Sequence, residues 1–142
     1  RLTLWKPQVS ARQPLLWILH LSYAWIPAGF TLLALSQFGL APASAAVHLL
    51  GIGAIGGLIV GMITRTSLGH TGRQLKAGRA DTAMYVLVQL GVLARLGAAF
   101  AGGGLRDGLL LAAGICWSAT FLIYLGTYAP RLGAPRVDGR DG

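Results

Sequence analysis

The 142 residues are 54% hydrophobic and 11% charged, with a mean hydropathy of +0.62. A soluble domain carries about 25% charged residues, so this composition excludes a water-soluble globule and indicates an integral membrane protein with lipid as a partner. The net charge of +8, from 12 basic and 4 acidic side chains, lies in short connections between apolar runs, which argues against nucleic acid as a partner and for cytoplasmic loops.

Four apolar segments are predicted to cross the bilayer, over residues 14–35, 43–64, 82–100 and 109–128. Each is long enough, at about 1.5 Å per residue, for a hydrocarbon core of about 30 Å. No polar–apolar alternation appears, so the expected fold is all-α, a polytopic bundle over 1–130 followed by a disordered cytoplasmic tail over 131–142. Pro27 should loosen the first span by removing a backbone donor. Arg1, Lys6 and Arg12 precede that span, and the loop from Gln37 to Pro42 is uncharged. The next loop holds Arg65, Arg73, Lys76 and Arg79, the third only Arg106 and Asp107, and the tail Arg131, Arg136 and Arg140. This alternation predicts both termini in the cytoplasm, with Trp5, Trp17, Tyr124 and Tyr128 at the inner interface. The chain opens at Arg1 without a signal-peptide pattern and is expected to be a mature or recovered fragment of a longer protein.

Gly53, Gly57 and Gly61 recur every fourth residue in the second span. Such a stripe lets another helix, or a flat macrocycle, approach the backbone, and plain helix packing is the commoner use. Gly69 fits a left-handed cap at the end of that helix. Cys116, the one cysteine, excludes an internal disulfide.

Three histidines stand in or beside the spans. His20 lies near the inner end of the first, His48 near the outer end of the second, and His70 in the inner loop. Imidazole is the commonest metal ligand and often an axial haem ligand. The plainer role is a hydrogen bond to a neighbouring helix. His20 and His48 should differ in height by roughly 15 Å and should not ligate the same iron; His20 and His70 share the inner side. Arg95 falls inside the third span, where a guanidinium costs about 2.5–3.5 kcal/mol. It either snorkels to outer headgroups or pairs with an anion such as a haem propionate. Its predicted depth matches that of His48. Arg65 and Arg73 are candidates for lipid phosphates or for propionates on the inner side. Met62, predicted on nearly the same helix face as His48, and Cys116 are weaker metal candidates, with packing the plainer role. Asp81, Asp107, Asp138 and Asp141 are expected in loops or tail, and no acid–base pair stands out.

The stretch AVHLLGIGAIGGLIVGMITRTSLGHTGR, residues 46–73, resembles the C-terminal signature of the NnrS family. His48, Gly53, Ala54, Ile55, Gly56, Met62, Thr64, Arg65, Leu68, Gly69, His70, Thr71, Gly72 and Arg73 match that pattern. The stretch from Leu15 to Phe30, with His20, resembles the family's preceding helix. The resemblance implies a multi-pass protein of the bacterial inner membrane that binds haem and copper and is linked to nitric oxide tolerance and denitrification. The family is longer than this chain, so the remaining helices of an NnrS-like protein are expected partners, with nitric oxide as a ligand. The ligand order expected here is His48, then His20 and His70, with Arg95, Arg65 and Arg73 as propionate partners. A haem-free transport or structural module and a cytochrome b-like electron carrier are the competing readings.

Overall fold

The computed structural model describes residues 13–139, so Arg1, Trp5, Lys6, Arg12, Arg140 and Asp141 lie outside it. The described residues form helices joined by short turns, with no strand among them. Four helices are long and apolar enough to cross a membrane: α1, Pro14–Gln37; α2, Ala43–His70; α3, Arg79–Phe100; and α4, Gly103–Leu132. The chain is thus an all-α polytopic membrane protein.

Local chemistry sets the ends. Pro14 opens α1, where its missing N–H would have had no helical partner. Gly39, at φ 71°, closes it, with Leu40 N–H donating to the Leu35 carbonyl and Gly39 N–H to that of Ser36, both at 3.1 Å. α2 ends the same way one loop later. The left-handed residue there is Gly72, at φ 70°, and not Gly69, which stays helical. Arg73 N–H donates to the Leu68 carbonyl at 2.9 Å and Gly72 N–H to that of Gly69 at 3.1 Å, so the closing bonds need the bend three residues after Gly69. At the start of α3 the Asp81 carboxylate accepts the Gly78 N–H at 2.7 Å.

The helices run past the limits that hydropathy suggests. α2 continues to His70, α3 begins at Arg79, and α4 takes in Arg106 and Asp107 and extends to Leu132. Charged residues in a terminal turn lower hydropathy without opposing the helix, because their heads reach polar surroundings. Asp81 and Asp107 are therefore helical rather than loop residues. α3 and α4 are separated by only Ala101 and Gly102 and pack as a hairpin.

α2 and α3 are the inner helices: 44% and 39% of their apolar windows are buried, against 17% for α1 and 11% for α4. Leu15, Ile18, Val60, Leu68, Met84, Tyr85, Val88 and Tyr128 form one buried cluster. It lies toward the end of the bundle that carries Arg65, Arg73, Arg79 and Arg131, called here the arginine-rich end. Trp17 meets Tyr85 edge-on at 5.8 Å and Tyr124 stacks on Tyr128 at 5.0 Å in the same region. Phe30, Leu111 and Leu122 point outward, as side chains facing lipid do.

The tightest approach is at Gly57. A Cβ there would overlap Ser22 Oγ of α1 and stand 3.2 Å from Gln89 Nε2 of α3. Gly69 has open space instead. Gly57→Ala should push three helices apart at a cost of about 1–3 kcal/mol, while Gly69→Ala should be near neutral. Thermal unfolding in detergent would show a lowered midpoint for the first variant alone; equal midpoints would remove Gly57 from this role.

Candidate functional site

Between residues Leu49 and Gly56, α2 is π-helical, bonding five residues apart rather than four. His48 is the last residue before that section. Its ring Nδ1 lies 2.7 Å from the Ser44 carbonyl oxygen. A carbonyl only accepts, so Nδ1 carries the proton and donates it, and in the neutral ring the lone pair sits on Nε2. This is the tautomer that a metal ligand needs, held by a second bond that fixes the ring plane.

His48 and Arg95 line one cavity of about 300 Å³, with Ile52 on α2 and Leu110, Ala113, Gly114 and Trp117 on α4. The two polar groups thus face one space from adjacent helices. Among the described residues no hydrogen bond or ion pair holds the Arg95 guanidinium, although a cation at such a position is costly without a counter-charge. Trp117 forms one wall, turned edge-on to Phe121 at 4.9 Å.

His20 belongs to a different groove of about 380 Å³, lined by Leu16, Leu19, Tyr23, Leu58 and Met62. Its Nδ1 donates to the Leu16 carbonyl at 2.9 Å, the same geometry as His48. Met62, expected on nearly the face of His48, stands with His20 instead. The π-helical section between the two residues is the reason, since it turns the helix by a different angle per residue. His70 is exposed at the end of α2 and lines neither cavity. Arg65 is exposed, and Arg73 Nη1 is buried without a hydrogen-bond partner among the described residues. Cys116 packs beside Gly91 of α3, whose added Cβ would meet it at 3.3 Å. No group of three or more His, Cys, Asp or Glu side chains able to hold a metal ion occurs among the described residues. A metal held here would therefore rest on single imidazoles with a cofactor's own ligands, or on donors from elsewhere.

The sequence reading missed a set of internal polar contacts on α3. Asp81, Tyr85 and Gln89 follow one another at intervals of four and so share a face. Asp81 is 3% exposed and accepts the Tyr128 hydroxyl at 2.6 Å. Tyr85 bonds Thr64 across to α2, and Ser67 bonds Tyr124 of α4 at 2.8 Å. Gln89 accepts the Trp25 indole N–H at 2.7 Å and donates weakly to Ser22 at 3.5 Å. The four-residue spacing was the available signal; hydropathy hid it by placing Asp81 outside the span.

The tail also has contacts. Arg136 forms a two-pronged pair with Asp138 at 2.9 and 2.7 Å and donates to the His70 carbonyl at 3.3 Å. The carboxylate raises the Arg136 pKa above its ordinary value. Val137 N–H reaches the Thr71 carbonyl at 3.3 Å.

Tyr128→Phe should leave an Asp81 oxygen buried without its donor and destabilise the bundle by about 1.5–3 kcal/mol. Unfolding in detergent would measure this, and an unchanged midpoint would mean that water replaces the hydroxyl.

A family model described as NnrS protein matches residues 1–136. No curated protein and no solved structure matches the chain.

Proposed function

This chain belongs to the NnrS family, and we propose that it is a haem-binding helical portion of a bacterial inner-membrane protein serving the response to nitric oxide. His48 would hold the haem iron through Nε2, and Arg95 would pair with a propionate. The observation that supports this most is the sharing of one cavity by a tautomer-fixed imidazole and a guanidinium without a counter-charge among the described residues. Bound haem would supply an iron able to bind a diatomic ligand. The chain's own part is to orient the imidazole through Ser44, to set a cation in the same groove, and to give the groove apolar walls with Ile52, Leu110 and Trp117. Among the described residues the groove offers one imidazole to a metal, and any further donor would come from nitric oxide or from the remaining helices of a longer protein.

His20 is the second candidate ligand. With Met62 in its groove, it forms an imidazole–thioether set that suits copper(I) as well as haem iron. His70, Arg65 and Arg73 sit at the arginine-rich end, which on the positive-inside rule is cytoplasmic, and are suited to lipid phosphates or propionates there. The close approach at Gly57 favours one competing reading, a haem-free packing module.

An absorption spectrum of the full-length protein tests the choice. A Soret band is expected, lost in His48→Ala. Arg95→Ala should weaken haem retention by roughly 10- to 100-fold, the equivalent of a charged hydrogen bond of about 1.5–3 kcal/mol. No band after expression with ample haem would leave the packing module.

A further inference from the structure

The side of α3 that turns away from the bundle carries a groove separate from both histidine cavities. Asp81, Met84, Tyr85, Val88 and Gln89 are buried against the other helices. Arg79, Thr82, Ala83, Val86 and Leu87 fall between them at intervals of three and four, so they share the opposite side. With Ala77 and Gly78 they line a hollow of about 730 Å³. No imidazole, thiol or thioether stands among these residues, so the groove has no donor for haem iron or copper.

Its charge and its apolar wall are separated along the helix axis. Arg79 is the first residue of α3 and is exposed. The 22 residues of α3 span about 33 Å, close to the thickness of the hydrocarbon core, which sets Arg79 at the border of the polar layer. Leu87 lies about 12 Å further along. The polar layer of each leaflet is about 5–8 Å deep, so Val86 and Leu87 reach hydrocarbon while Arg79 stays at headgroup level.

The charge has no counterpart within the chain. Among the described residues no ion pair or side-chain hydrogen bond holds Arg79. Asp81 is turned inward and bonds Tyr128 and the Gly78 N–H, and Asp138 is paired with Arg136. Thr82 gives its hydroxyl to the Gly78 carbonyl at 3.1 Å. Recognition of a ligand's charge therefore falls to the Arg79 guanidinium. Residues 1–12 hold Arg1, Lys6 and Arg12 and no acid, and a second copy of the chain brings a net charge of +8. Both have the wrong sign. The complement of a cation above an apolar wall is an anion above an apolar chain.

We propose that this groove binds one anionic glycerophospholipid, with its phosphate paired to Arg79 and one acyl chain laid along Ala83, Val86 and Leu87. Ala83 has no side chain beyond Cβ to fill the passage between them. The site stands whether or not haem binds at His48.

The test is native mass spectrometry of the full-length protein in mild detergent, titrated with dioleoyl phosphatidylglycerol and, separately, dioleoyl phosphatidylcholine. One phosphatidylglycerol should stay bound at concentrations where phosphatidylcholine does not. Arg79→Gln should weaken that complex roughly fivefold or more, and Arg79→Lys should keep most of it. Ala83→Phe, which keeps the charge and fills the passage, should weaken it too. Lys76→Gln removes a cation from the groove on the other side of Ala77 and should have little effect. All three positions are exposed, so the variants should fold, with unchanged thermal midpoints in detergent. Equal losses in Lys76→Gln and Arg79→Gln would mean diffuse attraction to the arginine-rich end and overturn the site. Equal retention of the two lipids would do the same, as would an Ala83→Phe form that binds like the parent. Glycerol 3-phosphate, a headgroup without chains, should not displace the lipid at millimolar concentration; displacement would overturn a lipid as the occupant. A dimer lost in Arg79→Gln would put a second copy there instead. Phosphatidylglycerol with a photoreactive acyl chain should label the peptide that holds Ala83 to Leu87, and labelling confined to other peptides would count against the groove.

Discussion

Hydrocarbon offers nothing for a polar group to bond, so each buried donor and acceptor must find a partner within the protein. Most of this bundle follows from that constraint. Thr31, Thr66, Thr71, Thr82 and Thr120 each return a hydroxyl to the carbonyl four residues earlier, which satisfies them without a neighbour. Other polar groups are paired between helices: Asp81 with Tyr128, Thr64 with Tyr85, Ser67 with Tyr124, and Gln89 with Trp25. These pairs join α2 to α3, α2 to α4, α3 to α4 and α3 to α1. Because hydrophobicity alone does not drive helices together in lipid, these bonds and the close fit at Gly57 fix which helices are neighbours.

The constraint also marks what is left over. Arg95 and the Nε2 of His48 are not used up by the pairing, and both stand at one cavity. The arginine-rich half of the bundle is tied together by hydroxyl bonds between helices, whereas the half with His48 sets a cation and an imidazole at one groove. The asymmetry argues that the two halves have different work. One ties the helices together, and the other carries the groups on which the proposed haem site rests.

Much of the fold was legible in the sequence because length and hydropathy report directly on bilayer thickness. The number of spans follows from that alone, and the family from the motif around His48 and His70. Helix ends were less legible, since Asp81 and Asp107 look like loop residues to a hydropathy average, and the choice between Gly69 and Gly72 depends on which carbonyls need closing. The shared depth of His48 and Arg95 could be reasoned from counting residues along α2 and α3. The side that Met62 faces could not, because a 3.6-residue repeat was assumed through Leu49–Gly56, where the backbone departs from it. The partners of Asp81 and Gln89 come from α1 and α4, and no local pattern names them.

The end of α2 is completed by residues far along the chain. Its closing carbonyls are taken by Gly72 and Arg73 nearby, but those of His70 and Thr71 are taken by Arg136 and Val137. During synthesis from the N-terminus, α2 can therefore enter the bilayer with its terminal turn still served by water. That turn is finished only after α3 and α4 have been made and have brought 136 and 137 alongside. The last turn of the helix that carries His48 is thus completed by the segment that follows α4.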